Sequence, residues 1–330
     1  MDKILKISAG LLAAALCICC SKNTLSEYRD ADVIGYNVVT STSSQPVRSA
    51  SAFPTDATFI SSAYALPLDK NWDSDAASAI PEFGPEEVKW QATYWSTDTQ
   101  HYWSSERKLT FFSYAPASLK GYGVNINPDG VNVNSWDVLG KHKDKTLLVA
   151  DIAKDKVKNE SFAGFTGVPT HFRNKLAKVT FRVASSDLVE KGTKVVLMKA
   201  SLSGFYSKGD FAKGGSPSEG WYNLANKQSD YVLFDGENEL TPAWQEKEWI
   251  MIPQSTTGLS LRLEYRTEIG SVIKNETVTL SLVDDFRSGI WEKGTHITYS
   301  MKIGAGRIPI LFYGSAEDWV FDGGNIIEIE

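Results

Sequence analysis

Apolar and polar residues alternate with a period of two along much of the chain, beginning close to its N-terminal end. Within residues 32–40, Ile34, Tyr36 and Val38 fall on one face, while Gly35 and Asn37 fall on the other. Alternation of this kind is typical of a strand with one buried face. We therefore predict that residues 32–40 form the first strand and direct their even-numbered side chains into a core.

The same pattern returns many times in short segments separated by turn residues such as Asn127-Pro128-Asp129-Gly130. Residues 69–79 fit a short helix or a loop equally well. Many short strands with few helices favour antiparallel sandwiches over a parallel α/β sheet. The further predicted strands are residues 58–66, 88–95, 109–114, 123–126, 146–150, 176–183, 194–202, 231–234, 248–252, 259–266, 276–282, 297–303 and 309–313.

The segment before the first strand has the layout of a bacterial lipoprotein signal. Lys3 and Lys6 precede an apolar run over residues 7–18, which is too short for a stable membrane-spanning helix. We predict a signal peptide over residues 1–20 with Cys20 as the lipidated residue and Cys19 as the second choice. An ordinary cleaved signal peptide with incidental cysteines is the alternative.

Composition limits the function classes. The 330 residues include 10 Trp, 13 Tyr and 15 Phe, a mixture that suits half-buried strands, and the formal net charge is -6. No cluster of Lys and Arg interleaves with aromatic residues, so a nucleic-acid partner is not expected. No second apolar run approaches the length of a membrane span.

Catalytic and metal-binding patterns are missing from the sequence. The four histidines lack metal-ligand spacing, and we expect them on the surface or as strand side chains. The spacing of Asn125, Asn127 and Asp129 resembles the start of a calcium loop, but Trp136 stands where a Glu ligand is required. A hairpin turn is the preferred interpretation there. We predict no enzyme activity, no cofactor and no metal; a secreted glycosidase would need a carboxylate pair that the sequence does not single out.

Aromatic residues concentrate between positions 90 and 103. Their flat faces suit the C–H surface of a sugar, which makes Trp95, Tyr102 and Trp103 candidate glycan contacts. Packing inside the first sandwich is the alternative interpretation of the same residues.

Residues 168–183, with the sequence VPTHFRNKLAKVTFRV, closely resemble the junction motif of the fimbrillin-like (Mfa-like) family, the subunits of type V pili. Other segments resemble the same family in the same order. They are Trp103 with residues 109–116, residues 147–150 and 252–255, the set Trp291, Gly294, Tyr299 and Ile303, and finally Trp319.

This resemblance implies two antiparallel β-sandwich domains of transthyretin-like character in tandem, over residues 21–170 and 171–330. It also implies an outer membrane lipoprotein precursor that later joins a cell-surface pilus. In polymerising members of the family a protease cuts after an arginine, removes the first strand, and a strand from a neighbouring subunit fills the groove.

Candidate parts for that process are present in this chain. Arg48 lies in a segment with almost no large side chains directly after the first strand, where a protease would meet little folded structure. Arg29 is a weaker choice, and a plain solvated residue is the alternative for Arg48. Ile326, Ile327 and Ile329 form a candidate donor strand.

The resemblance also bears on the position in the pilus, because stalk subunits of the family tend to carry a longer C-terminal appendage. The short tail after Trp319 therefore favours a tip or accessory subunit slightly over a stalk subunit. The expected partners are other pilus subunits, the outer membrane through the lipid, and a host glycan or protein receptor. The competing function is an anchored surface lipoprotein that binds a glycan or host protein through aromatic loops.

Overall fold

The computed structural model describes residues 33–41, 51–158, 167–213, 219–282, 289–305 and 310–319. Nearly all regular structure in these ranges is β-strand, which confirms the predicted all-β class. The segment 69–79 contains one short helix, α1 (Trp72–Asp75), followed by a 3₁₀ turn (Ala76–Ser78). A second 3₁₀ turn spans Ala117–Leu119.

Twenty-three strands follow one another along the described chain. The first eleven are β1 (Tyr36–Ser41), β2 (Ser51–Ala52), β3 (Phe59–Pro67), β4 (Ile80–Trp90), β5 (Trp95–Thr97), β6 (Arg107–Ala115), β7 (Val124–Asn127), β8 (Gly130–Asp137), β9 (Leu148–Ala150), β10 (Ala153–Lys156) and β11 (Val168–Asn174). The others are β12 (Ala177–Ser185), β13 (Thr193–Ser203), β14 (Tyr206–Lys213), β15 (Gly220–Lys227), β16 (Tyr231–Leu240), β17 (Gln245–Met251), β18 (Gln254–Ser255), β19 (Ser260–Ile269), β20 (Val272–Ser281), β21 (Ile290–Trp291), β22 (Thr295–Ile303) and β23 (Leu311–Asp318).

The first sandwich is one sheet that returns on itself. Its strand order runs β6-β3-β4-β5-β1-β11-β9, and β9 pairs again with β6. Phe59 on β3 and Phe172 on β11 are not on neighbouring strands, yet their ring centroids lie 5.2 Å apart. The two halves of the sheet therefore face each other across an aromatic core.

The second sandwich consists of two four-stranded sheets, β17-β12-β22-β23 and β16-β13-β19-β20. Alternation along β12 buries Val179, Phe181 and Val183 toward the facing sheet, where Leu197 and Leu263 are equally buried. Most pairings in both sandwiches are antiparallel, as predicted, but β1 pairs parallel with β11 and β12 pairs parallel with β22.

A further four-stranded sheet joins segments that are distant in sequence. Its order is β15-β14-β8-β7, so strands within residues 124–137 pair with strands within residues 206–227. We call it the linking sheet. The predicted turn at residues 127–130 is confirmed, because Asn127 faces Gly130 at the closed end of the β7–β8 hairpin. The division into domains at residues 170 and 171 falls within β11 and stays a prediction.

Candidate functional site

Strand β1 is paired unequally on its two sides. On one side it runs parallel to β11 along its whole length, from Tyr36 beside Val168 to Ser41 beside Arg173. On the other side it meets β5 only at Trp95 and β2 only through two short pairings. We call β1 and the β11 edge that it covers the seam. The seam is the place where the first sandwich is closed by its first strand.

The inward side of β1 fills the core of the first sandwich. Ile34, Tyr36 and Val38 are buried, as the alternation predicted. The Tyr36 ring packs edge-on against Phe59 at 5.4 Å and Phe111 at 6.0 Å between centroids. Burial of such side chains contributes roughly 1.5–3 kcal/mol each, so removing β1 would expose a large apolar groove.

Two buried polar atoms on β1 add little to its attachment. The Tyr36 hydroxyl and Thr40 Oγ1 are buried and lack a hydrogen-bond partner among the described residues. Burial also raises the pKa of Tyr36. An unpaired buried hydroxyl costs about 1–3 kcal/mol, which lowers the net stability that the strand contributes.

Glycine is required where the seam begins. The Val168 amide donates to the Gly35 carbonyl at 2.8 Å, which brings the two backbones together. Gly167 has a φ of +108°, and a Cβ there would lie 3.0 Å from the Gly35 oxygen. A larger residue at position 167 would therefore be strained and would push β1 away from β11.

A buried polar cluster lies where the seam ends. The Ser41 Oγ is 2.6 Å from His171 Nε2 and accepts from Arg173 Nη1 at 3.4 Å. Arg173 Nε also donates to both Asp151 carboxylate oxygens, at 3.2 and 3.1 Å. Burial raises the pKa of Asp151, but its hydrogen bond with His171 and the charges of Arg173 and Lys213 outweigh burial and hold the pKa well below its usual range. Asp151 is therefore ionised at neutral pH.

This cluster continues toward the start of β12. The Lys175 ammonium, 1% exposed, pairs with Glu219 at 3.0 Å, and Lys213 pairs with the same carboxylate at 2.8 Å. Burial, helped by the charge of Lys213, lowers the pKa of Lys175 to about 8. Burial raises the pKa of Glu219, but Lys175 and Lys213 outweigh it and bring the pKa to about 2. We call this set the junction cluster; its members are Asp151, His171, Arg173, Lys175, Lys213, Glu219 and Lys293.

Sequence reasoning did not find the junction cluster. Its sequence signal is present only in part, because His171, Arg173 and Lys175 sit in the segment that carries the family resemblance. Their partners Asp151 and Glu219 come from distant parts of the chain. The residues predicted for processing and exchange lie outside the described residues: Cys19, Cys20, Arg29, Arg48, Ile326, Ile327 and Ile329.

The three candidate glycan contacts have different environments. Trp95 is 4% exposed and packs against Phe53 and Phe59, which fits the alternative interpretation of core packing. A glycan cannot reach Trp95 while the sandwich is closed. Trp103 is half-buried against Phe111. Tyr102 is 50% exposed and pairs with Val33 through the backbone only.

One of the histidines, His142, differs from the expectation of surface or strand positions, and His171 lies in a strand as expected. His142 lies in a loop, is buried, and stacks on Trp136 at 4.1 Å between ring centroids. Its Nδ1 accepts from the Asp137 amide at 2.9 Å and its Nε2 lies 2.7 Å from the Tyr122 carbonyl. His171 is in a strand but is also buried. Both therefore have structural environments that their spacing in the sequence did not indicate.

The part of the chain that the structure describes contains neither a metal-binding group nor a membrane-spanning helix. No group of three or more His, Cys, Asp or Glu side chains there is arranged to hold a metal ion. None of the described helices has the length and apolar character needed to span a membrane.

Comparisons with known proteins agree with this architecture. The model of the fimbrillin-like family matches residues 70–319. A fimbrial protein from Bacteroides vulgatus has a similar structure with a TM-score of 0.55 and 19% identity, over 87% of this chain and 99% of that one. A candidate cell adhesion protein from Bacteroides uniformis matches with a TM-score of 0.51 and 15% identity, over 87% and 99% of the two chains. No curated protein matches significantly. The family model covers well over half of the sequence, and the chain therefore belongs to the fimbrillin-like family.

Proposed function

We propose that this protein is a structural subunit of an adhesive type V pilus and that it assembles by exchange of its first strand. The observation that carries the proposal is the unequal pairing of β1 among the described residues. All six of its residues pair with β11, but only Tyr36, Val39 and Thr40 pair with β5 or β2 on the other side. Such a strand leaves by breaking one continuous ladder and two short pairings. We propose no catalytic role, no cofactor and no metal.

Maturation follows from where β1 lies in the chain. The precursor is acylated at Cys20 and reaches the outer membrane as a lipoprotein. A cut after Arg48 falls between β1 and β2, so it separates the lipid and β1 from the rest of the chain. A cut after Arg29 would remove the lipid and leave β1 in place.

Loss of β1 leaves a groove with a strong affinity for another strand. The β11 edge then has unpaired backbone groups, and Phe59, Phe111 and Phe172 line the apolar floor. Both features favour capture of an extended segment by strand addition. The donor comes from a neighbouring subunit, and Ile326, Ile327 and Ile329 are our candidate donor residues in this chain. Tip, accessory and stalk positions all remain compatible with this scheme.

The first experiment is the N-terminal sequence and intact mass of the protein recovered from the cell surface. We expect a chain that begins at Ser49. The variant Arg48→Ala should keep β1 and fail to enter detergent-resistant polymers, while the matched variant Arg29→Ala should be processed normally. A lipidated mature chain that begins at Cys20 would contradict strand removal.

Exposed aromatic side chains favour a second candidate function, an anchored lipoprotein that binds a glycan or a host protein. Trp90, Tyr94 and Tyr102 are 36%, 40% and 50% exposed. Flat aromatic surfaces of this kind stack on sugar rings. If this function holds, the protein stays full length and lipidated, and Tyr102→Ala abolishes glycan binding without altering polymer formation.

A further inference from the structure

Ion pairs at the end of the seam join four cationic side chains to two carboxylates among the described residues. The cations are Arg173, Lys175, Lys213 and Lys293, and the carboxylates are Asp151 and Glu219. Cationic side chains therefore outnumber the described carboxylates with which they pair. Lys175 and Arg173 are largely buried, so water screens their charge less than it would at the surface.

The outward side of β1 faces this charge directly. Val39 lies beside His171 and Ser41 lies beside Arg173 in the parallel register. The Ser41 hydroxyl is within hydrogen-bond distance of both the imidazole and the guanidinium. Asn37, two residues earlier on the same side, lies beside Pro169, which has no charge.

We propose that the seam selects its incoming strand by charge, favouring a carboxylate at the position of Ser41 and disfavouring a cationic side chain there. This inference rests on the proposed strand exchange. The occupant is a strand of a second copy of this chain that places apolar side chains at the inward positions of Val38 and Thr40. An acidic side chain then meets Arg173 and His171, where charge-assisted hydrogen bonds are stronger than that of a neutral hydroxyl.

A sequence of this type occurs in the chain itself. Residues 326–330 read Ile-Ile-Glu-Ile-Glu. If Ile327 and Ile329 point inward in place of Val38 and Thr40, Glu328 and Glu330 take the outward positions of Val39 and Ser41. A second copy of this chain therefore supplies a strand of the favoured chemistry, and other subunits compete with it on the same terms.

The test uses the full chain cut after Arg48 with an arginine-specific protease and separated from its first strand. Synthetic peptides of residues 33–41 carry Ser, Asp, Asn or Lys at position 41. We expect the Asp peptide to bind about tenfold more tightly than the Asn peptide, which has the same shape without the charge. The Lys peptide should bind most weakly, and added salt should narrow the differences.

Position 37 provides the matched control because the native residue there is Asn. The change Asn37→Asp in the peptide should alter binding less than about twofold, since it adds the same charge beside Pro169. In receptors with Arg173→Gln, the preference for Asp over Asn at position 41 should largely disappear. Equal binding of the Asp and Asn peptides at position 41 would overturn the inference.

A second measurement separates this inference from the proposed function. In the intact, uncut chain, Ser41→Asp should have a higher Tm than Ser41→Asn, and Asn37→Asp should match the native chain. If no peptide binds the cut protein, the proposed strand exchange is wrong. The difference in Tm between Ser41→Asp and Ser41→Asn in the intact chain still decides whether the seam distinguishes charge.

Discussion

Strands β1 and β12 hold corresponding places in the two sandwiches, because each opens its sandwich and pairs parallel with a strand near the end of it. Their other sides differ. Strand β12 is also paired with β17 from Ala177 beside Met251 to Val183 beside Gln245, whereas β1 has only brief pairings beyond β11. Both sandwiches therefore share a parallel first strand, but among the described residues β1 is held by fewer pairings on its second side than β12.

The largest effect should come from the core around β12. Phe181 stacks on Tyr299 at 5.1 Å, and Phe181→Ala should lower the free energy of unfolding by about 3–5 kcal/mol. The loss should be the same before and after removal of residues 1–48, because β12 does not depend on β1. Chemical denaturation of the intact chain and of the trimmed chain, which lacks residues 1–48, measures this loss. A loss that differs between the two chains would contradict the comparison of β1 with β12.

The start of β12 should be nearly as sensitive. Glu219→Gln leaves the buried Lys175 without its counter-charge, and we expect a loss of about 3 kcal/mol. Lys175→Met removes the buried charge itself and should cost much less, since Glu219 keeps Lys213. Equal losses for the two variants would contradict this account of the junction cluster.

A smaller effect should appear in the core that β1 closes. Phe59→Ala should cost about 1 kcal/mol less in the trimmed chain than in the intact chain, because the contact with Tyr36 is already gone. A double-mutant cycle with Tyr36→Ala in the intact chain checks the same coupling. Absence of coupling would mean that β1 does not share the aromatic core in solution.

Mild acid should act on the loop that follows β8, where His142 lies, before it acts on the carboxylates at the end of the seam. Burial lowers the pKa of His142, so the unfolded chain binds a proton more readily than the folded chain as the pH falls through about 6.5. Stability, measured as Tm, should therefore decrease below that pH, because the Asp137 amide loses its acceptor when His142 is protonated. His142→Gln should remove this dependence, and trimming of β1 should leave it unchanged.

The smallest effect is expected at the start of the seam. Tyr102 is exposed and joins Val33 through the backbone, so Tyr102→Ala should change the free energy of unfolding by less than about 0.5 kcal/mol. A larger loss would indicate that the aromatic surface helps to hold β1. Glycan binding by the native chain and its loss in this variant would favour the second candidate function.

Periodicity predicted much of the fold because each buried face imposes its own pattern on the sequence. Ile34, Tyr36 and Val38 are buried as expected, although the regular strand begins at Tyr36. The segment 88–95 was wrongly predicted as one strand. It turns sharply between β4 and β5, where Ala92 has a φ of +68°, and no glycine marked that turn.

The junction cluster could not be predicted in the same way. Arg173 lies on β11, whereas its partner Asp151 lies in the connection between β9 and β10. Lys175 meets Glu219 only because the linking sheet brings the two residues together. A charged residue in an alternating pattern indicates a polar face and does not identify its partner. Periodicity therefore predicts which side a residue faces, while tertiary folding determines what it meets there.

The linking sheet has a consequence for secretion. Strand β8 pairs with β14, and β1 pairs with β11, so neither unit is complete until much later residues are present. Long-range pairings of this kind slow folding and prolong exposure of apolar surface. A chain that crosses a membrane from its N-terminus must therefore emerge as far as β15 before the linking sheet can form. Until then the early strands of the linking sheet have no partner to pair with.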